Sequence, residues 1–230
     1  MKRWQLFWGP LYGLTLAAML PAGLVFFRMM RTHRLMYGFL LWNLFLAWLP
    51  LVFAWLSLKA ASRRPFLALL SALAWLVFLP NAPYLITDLV HLRPFGDIAY
   101  FYDVTMLFIL TLTGLAYGFV SLRWMQEVVA LRWGRGLSYL FAVLVLALSS
   151  FGIYLGRFLR WNSWDILVHP YALLGEIAVL VHHPVRHAST WAHVALFSVA
   201  LVFSYALMVY IISGALRYGN VSVNGPSARG

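Results

Sequence analysis

The chain has 230 residues, of which 63% are hydrophobic and 10% charged. About a quarter of a soluble domain is charged, so this composition excludes a water-soluble globular protein. The net charge of +11 comes from basic residues in short runs between apolar stretches, which is typical of membrane topology signals and argues against a nucleic-acid partner. The chain has no cysteine, which excludes disulfides and thiolate metal sites.

Runs of about 20 apolar residues predict transmembrane helices. Six such runs follow along the chain, at residues 4–27, 35–58, 66–79 and beyond, 101–122, 137–156 and 191–216. The stretch 166–181 is apolar too, but it is shorter and is interrupted by His169, Pro170 and Glu176, which indicates an interfacial or re-entrant helix. The predicted fold is an all-α, polytopic transmembrane helix bundle of one domain over residues 1–219, followed by a polar, disordered tail over 220–230.

The start of the chain and its basic residues predict an orientation. Lys2 and Arg3 precede the first apolar run as in a signal peptide, but the run is long and lacks a clear cleavage site, so we expect an uncleaved span. With the N-terminus inside, ten Lys and Arg lie in inner segments and seven in outer ones, which favours this orientation in a cytoplasmic membrane. Three arginines in the first outer loop oppose the bias: Arg28, Arg31 and Arg34.

Two prolines interrupt the third span in the segment PNAPYLITDLVH, residues 80–91. Each removes a backbone donor, and irregular backbone at membrane depth is tolerated where protein buries it or where it lines a wet cavity. Asn81 is suited to cap a new helix at this point. On such a helix the polar residues would share one face: Asn81, Tyr84, Asp88 and His91.

The rise of a helix gives the depth of these residues. At ~1.5 Å per residue, Asn81 lies roughly 25 Å from the opposite end of its span, inside the ~30 Å hydrocarbon core. Asp88 and His91 lie roughly 35–39 Å along, at the interface, where a charge costs less than at the centre. Two further motifs reach the same edge: YFYD, which ends at Asp103, and GIYLGRFLRWNSWD, which ends at Asp165. This edge holds most of the acidic residues: Asp88, Asp97, Asp103 and Asp165.

The combination of PNAPYLITDLVHL, YFYD and GIYLGRFLRWNSWD resembles an uncharacterised family of bacterial multi-pass membrane proteins, a domain-of-unknown-function family. The resemblance implies a bacterial inner-membrane protein of about this size. The family has no assigned reaction, so no catalytic residue follows from it.

The acidic residues at this edge allow two interpretations. Asp88 and His91, one helical turn apart, can form a divalent-cation site or a catalytic acid–base pair. Asp103 or Asp165 would complete the set. Alternatively, these side chains belong to an interfacial ion-pair network without a special function. Asn162 and Ser163 resemble a helix cap, and Asp165 favours the N-terminus of the helix that would begin there.

Arg157 and Arg160 lie at the same edge and allow three interpretations. They neutralise Asp88 and Asp103, or they anchor the interface beside Trp161, or they bind the phosphate of an anionic head group. The residues that such a ligand would contact are Asn81, Tyr84, Arg157, Arg160, Asn162 and Asp165.

Three functions are compatible with these features, and the sequence does not decide whether the protein is an enzyme. The first is a membrane enzyme or a binding site for a lipid-like anion, with membrane lipids as partners. The second is a small transporter, for which the intramembrane polar residues are few: Asn43, Thr111, Thr113, Ser198 and Ser204. The third is an accessory subunit with protein partners in the membrane, reached through Gly114 and Gly118 at GxxxG spacing.

Overall fold

A computed structural model describes residues 7–32, 35–92 and 98–223. Within these ranges the chain is all-α, as predicted. The α-helices are α1 Trp8–Ala17, α2 Met19–Thr32, α3 Gly38–Ala60, α4 Pro65–Phe78, α5 Asn81–Tyr84, α6 Ile98–Trp133, α7 Arg135–Phe158, α8 Asp165–Val168, α9 Pro170–His182 and α10 Ala188–Val223. Two 3-10 segments, Leu35–Tyr37 and Leu85–His91, precede α3 and follow α5.

Among the described residues, six stretches are long and apolar enough to cross a membrane. They are Trp8–Thr32, Gly38–Ala60, Pro65–His91, Tyr100–Trp133, Arg135–Phe158 and Ala188–Gly214. These stretches confirm the six predicted spans, and α9 is the shorter apolar helix predicted between the last two. The chain is therefore a multi-pass integral membrane protein.

Several helices continue beyond the apolar runs that predict them. α6 was expected to end near residue 122 but continues to Trp133, because its polar residues find partners there. Arg123 pairs with Glu127 one turn later, at 3.4 Å, and the buried Gln126 accepts a hydrogen bond from Tyr205 of α10. α10 continues to Val223, inside the predicted tail; residues 224–230 lie outside the described ranges.

α6 is the central helix of the bundle. It packs against α2, α3, α5, α7 and the 3-10 segment Leu85–His91. Its buried side chains form much of the core, among them Met106, Leu107, Leu110, Tyr117 and Leu122. Large apolar side chains on α10, such as Leu196 and Phe203, are instead 67% exposed, which is the arrangement expected where lipid surrounds a helix.

Two glycines of α6 let the interrupted third span approach closely. A Cβ atom added at Gly114 would collide with the carbonyl oxygen of Ala82, and one added at Gly118 would lie 3.1 Å from the Cβ of Ala82. Thr111, one turn earlier, donates a hydrogen bond to the carbonyl of Leu85 at 3.1 Å. The GxxxG spacing of α6 therefore serves a contact within the chain, so the expectation that these glycines face a partner protein is wrong.

α7 presents a second pair of glycines to the same segment from the other side. A Cβ at Gly152 would lie 2.6 Å from Cγ of Pro80, and a Cβ at Gly156 would lie 3.3 Å from the ring of Tyr84. Residues 80–85 are thus held between two helices that carry glycine at a spacing of four residues.

Replacing Gly152 by Ala should lower the free energy of unfolding by about 1–3 kcal/mol, because the rigid Pro80 ring cannot move aside for the added methyl group. Unfolding in mixed detergent micelles measures the loss. Gly136→Ala is the matched control on the same helix, since nothing lies within 4 Å of its Cβ position. Similar stabilities of the two variants would contradict the close packing of Pro80 on α7.

Candidate functional site

The prolines of the third span change the backbone hydrogen bonding in its C-terminal part. α4 ends at Phe78, and the N–H of Ala82 donates to the carbonyl of Leu79 instead of to that of Phe78. The freed Phe78 carbonyl accepts a hydrogen bond from Nδ2 of Asn81 at 2.9 Å. The prediction that Asn81 caps a new helix is therefore wrong: Pro80 occupies the cap position, and Asn81 satisfies the end of the preceding helix.

Asn81 also joins the third span to the loop that follows α7. Its Nδ2 atom donates to the hydroxyl of Ser163 at 2.8 Å. The loop turns back at Arg160, which has a φ of 62°, and the N–H of Trp161 bonds to the carbonyl of Leu155 at 3.1 Å. The indole N–H of Trp161 then donates to Glu176 of α9 at 2.7 Å. The loop thus connects α7, the third span and α9.

Asn162 does not cap α8, and the hydrogen bond between Asn162 and Asp165 has the opposite direction to the one predicted. The carboxylate of Asp165, the first residue of α8, accepts a hydrogen bond from the backbone N–H of Asn162 at 2.6 Å. Nδ2 of Asn162 donates to the same oxygen at 3.2 Å. Asp165 therefore stabilises the loop that precedes its own helix.

A cavity of 490 Å³, the first cavity, is bounded by α3, α4, α5, α7, the loop 159–164 and α9. Its polar wall consists of Asn43, Asn81, Tyr84, Asn162 and Ser163. Its apolar wall includes Leu46, Leu76, Val77, Leu148, Phe151 and Leu155. Trp42 and Leu148 at the rim are 52% and 55% exposed, so the cavity opens on the lipid-facing side of the bundle. Sequence reasoning missed Asn43 and Ser163 as members of this wall.

The polar wall includes two amide oxygens that are free to accept hydrogen bonds. Nδ2 of Asn43 donates to Asp88 at 3.0 Å, and Nδ2 of Asn81 is used by Phe78 and Ser163. Within the described ranges, neither amide oxygen has a hydrogen-bond partner, and the hydroxyl of Tyr84 has none either. The first cavity therefore presents amide and hydroxyl oxygens to whatever occupies it.

Asp88 lies behind this wall and is 1% exposed. Its Oδ2 atom accepts the hydrogen bond of Asn43, while Oδ1 has no hydrogen-bond partner among the described residues. Nδ1 of His91 is 4.0 Å from Oδ1 and 3.2 Å from the carbonyl oxygen of Asp88, and its ring packs on Phe39 of α3. Asp88 and His91 thus face α3, whereas Asn81 bonds to the loop after α7 and the ring of Tyr84 lies against Gly156 of α7.

Asp103 belongs to a different site. Nε of Arg28 is 2.6 Å from its Oδ1, Nη2 of Arg28 is 2.9 Å from its Oδ2, and the hydroxyl of Tyr37 donates to Oδ2 at 3.0 Å. The predictions that Asp103 joins Asp88 or pairs with Arg160 are therefore wrong. A sequence signal existed for the true partner, since Arg28 is one of the arginines that oppose the charge bias.

The remaining charged residues of the edge are also dispersed. Arg160 is exposed on the loop after α7, and Arg157 lines a separate cavity. Within residues 7–32, 35–92 and 98–223, no three His, Asp or Glu side chains are grouped so that they could hold a metal ion. The predicted metal set of Asp88, His91 and Asp103 is therefore not assembled, and Asp97 lies outside the described residues.

The hydroxyls predicted for a transport path bond to helix carbonyls instead. Thr113 donates to Ile109 at 2.8 Å, and Ser198 donates to Val194 at 2.7 Å. Thr111 donates to Leu85 across the α6 contact. Thr113 and Ser198 thus bond to carbonyls of their own helices, and Thr111 joins α6 to the third span. None of the three side chains lines either cavity. Transport stays a prediction.

Replacing Asp103 by Asn should lower the free energy of unfolding by about 3 kcal/mol, because the mostly buried guanidinium of Arg28 loses the negative charge of Asp103. Asp165→Asn is the control at the same edge, and its exposed hydrogen bonds predict a loss below about 1 kcal/mol. Unfolding of both variants in detergent compares them. Equal losses would show that the Asp103 pair contributes no more than an exposed contact.

The sequence was compared with known protein families. Residues 42–204 match the family described as protein of unknown function (DUF1361). No curated protein and no solved structure matches the chain. The match extends from α3 into α10 and includes all residues that line the first cavity. The chain therefore belongs to this family of proteins of unknown function.

Proposed function

We propose that the chain binds a lipid-like amphiphile in the first cavity. The observation that carries the proposal is the composition of the cavity wall, which is apolar and open to the side at one end and polar at the other. Its 490 Å³ is within the range of small-molecule sites. The polar end is built from three separate parts of the chain, α3, the third span and the loop after α7, which converge through the Asn81–Ser163 hydrogen bond.

The polarity of the cavity is aligned with that of a bilayer leaflet. Asn162 and Ser163 lie in the loop at the membrane edge, whereas Leu148 lies about three turns deeper along α7. An amphiphile that enters between α3 and α7 would place its head at the loop and its chain against Leu46, Leu76 and Leu148. This is the orientation that the molecule already has in the bilayer, so binding requires no inversion.

The wall favours a head group that donates hydrogen bonds, such as a hydroxyl or ammonium group. Within the described part of the chain, no Lys, Arg, His, Asp or Glu lines the first cavity. The unpartnered amide oxygens of Asn43 and Asn81 are acceptors, the hydroxyl of Tyr84 can accept or donate, and the carboxylate of Asp88 lies behind Asn43. This wall supports binding more than catalysis, because it brings no acid–base pair to the ligand.

We further propose that the protein lies in the bacterial inner membrane with its N-terminus inside, as its basic residues indicate. The polar end of the first cavity would then face the outer leaflet. Labelling of single cysteines introduced at Arg160 and Arg135 with an impermeant reagent in intact cells tests this orientation, since the chain has no native cysteine.

Replacing Val77 by Trp should lower the amount of co-purified amphiphile at least about tenfold, because the indole fills much of the first cavity. Leu73→Trp is the matched control, since Leu73 lies on the same helix, is 53% exposed and does not line the cavity. Native mass spectrometry of protein released from lipid nanodiscs measures the bound molecule. Equal lipid content in both variants would contradict the proposal.

Replacing Tyr84 by Phe tests the head group. The hydroxyl of Tyr84 has no partner among the described residues, so its loss should leave the fold unchanged and weaken binding about threefold to tenfold. Tyr12→Phe, on an exposed residue remote from the cavity, is the control. Unchanged affinity in Tyr84→Phe would show that the head group does not reach this wall.

A further inference from the structure

A second cavity of 280 Å³ lies on the opposite face of α7. It is bounded by the 3-10 segment Leu85–His91, α7 and α10. The polar side chains that line it are Thr87, Ser150, Tyr154, Arg157 and His193. α7 thus presents Gly152 and Gly156 to the first cavity and Tyr154 and Arg157 to the second.

Arg157 is the cationic group of this cavity, and it is only partly exposed. Within the described ranges it forms no hydrogen bond and no ion pair. The carboxylate of Asp88 lies close enough to interact with it through space, but the two are not bonded. A guanidinium removed from water needs acceptors for its five N–H groups, so the site favours an anion.

A second donor faces the cavity beside Arg157. The hydroxyl of Tyr154 accepts a hydrogen bond from Thr190 at 2.9 Å, which leaves its own hydrogen available. The hydroxyls of Thr87 and Ser150 use their hydrogens on the carbonyls of Tyr84 and Leu146. Nδ1 of His193 is 2.7 Å from the carbonyl of Ser189 and therefore carries a proton, so Nε2 of the neutral ring is an acceptor and is not counted among the donors to an anion.

We propose that the second cavity binds a phosphate-type oxyanion, held by the guanidinium of Arg157 and the hydroxyl of Tyr154. Arginine binds phosphate through two parallel N–H bonds, which a tetrahedral oxyanion accepts on adjacent oxygens. The volume accommodates a group of several heavy atoms. The same chemistry is supplied by the phosphodiester of a lipid or by free phosphate, and the apolar Val90, Phe158 and Phe197 around it suit a lipid chain.

Asp88 gives this site a property that a surface arginine lacks. A negative charge on the buried Asp88 would repel an anion held at Arg157, since the two side chains lie near each other. Removal of its charge should therefore strengthen anion binding. Asp88→Asn keeps an oxygen that can accept the hydrogen bond of Asn43, so the packing of the third span is preserved.

The test uses the full chain in a neutral maltoside detergent at constant ionic strength. The ligands are dihexanoylphosphatidylglycerol, inorganic phosphate and dihexanoylglycerol, and the thermal unfolding temperature reports binding. We expect stabilisation by a phosphate-bearing ligand and none by dihexanoylglycerol. Stabilisation by inorganic phosphate identifies a free-phosphate site, and stabilisation by the phospholipid alone identifies a lipid head-group site.

Arg157→Gln should weaken that binding at least about tenfold, Arg157→Lys should retain part of it, and Asp88→Asn should strengthen it. Arg160→Gln is the control, because Arg160 lies at the same edge but does not line the cavity. The proposal is overturned if Arg157→Gln binds like the unmodified protein, if Arg160→Gln loses binding equally, or if dihexanoylglycerol stabilises as well as the phosphate-bearing ligands. This test does not depend on an amphiphile in the first cavity or on the result with Val77→Trp. Amphiphile binding in the first cavity and oxyanion binding in the second can therefore be contradicted separately.

Discussion

The close packing of residues 80–85 between α6 and α7 is the constraint on which the rest of this edge depends. Two prolines remove N–H donors at a depth where water cannot replace them, so the freed carbonyls need partners from the protein. Asn81 supplies one to Phe78, and Thr111 of α6 supplies another to Leu85. Thr111 reaches Leu85 because Gly114 lets α6 approach, and Gly152 gives Pro80 the same room on α7, so the irregular segment and the two GxxxG spacings form one unit.

A second contact, the pair of Arg28 with Asp103, explains a feature of the charge distribution. Arg28 belongs to the arginines that weaken the topology bias. In the structure its charge is neutralised by two short bonds to a carboxylate that also accepts a hydrogen bond from Tyr37. A basic residue that is paired inside the bundle carries less topological information than one in a solvated loop, so a simple count of Lys and Arg understates the bias here.

The sequence predicts the six spans well because apolar runs of this length have few alternatives to a transmembrane helix. It predicts helix ends less well, since α6 continues on paired polar residues such as Arg123 and Glu127 after the apolar run stops. The sequence predicts least well which residues come together in a site. Helical rise places Asp88, Asp103 and Arg157 at one depth, but depth does not give the direction around the bundle. Asp88 faces α3, Asp103 faces α2, and Arg157 faces α10.

The two cavities likewise lie on opposite sides of α7, so they differ in direction around the helix more than in depth. Residues 150–156 all lie on α7, and residues 150 and 152, or 154 and 156, point about 200° apart at 100° per residue. Small residues therefore line one side of α7, and hydroxyl and guanidinium groups line the other. Asp88 connects the sides, because it accepts the hydrogen bond of Asn43 in the first cavity and interacts with Arg157 of the second. The two cavities therefore share α7 and the third span as walls but present different chemistry, with amide and hydroxyl groups lining one and a guanidinium lining the other.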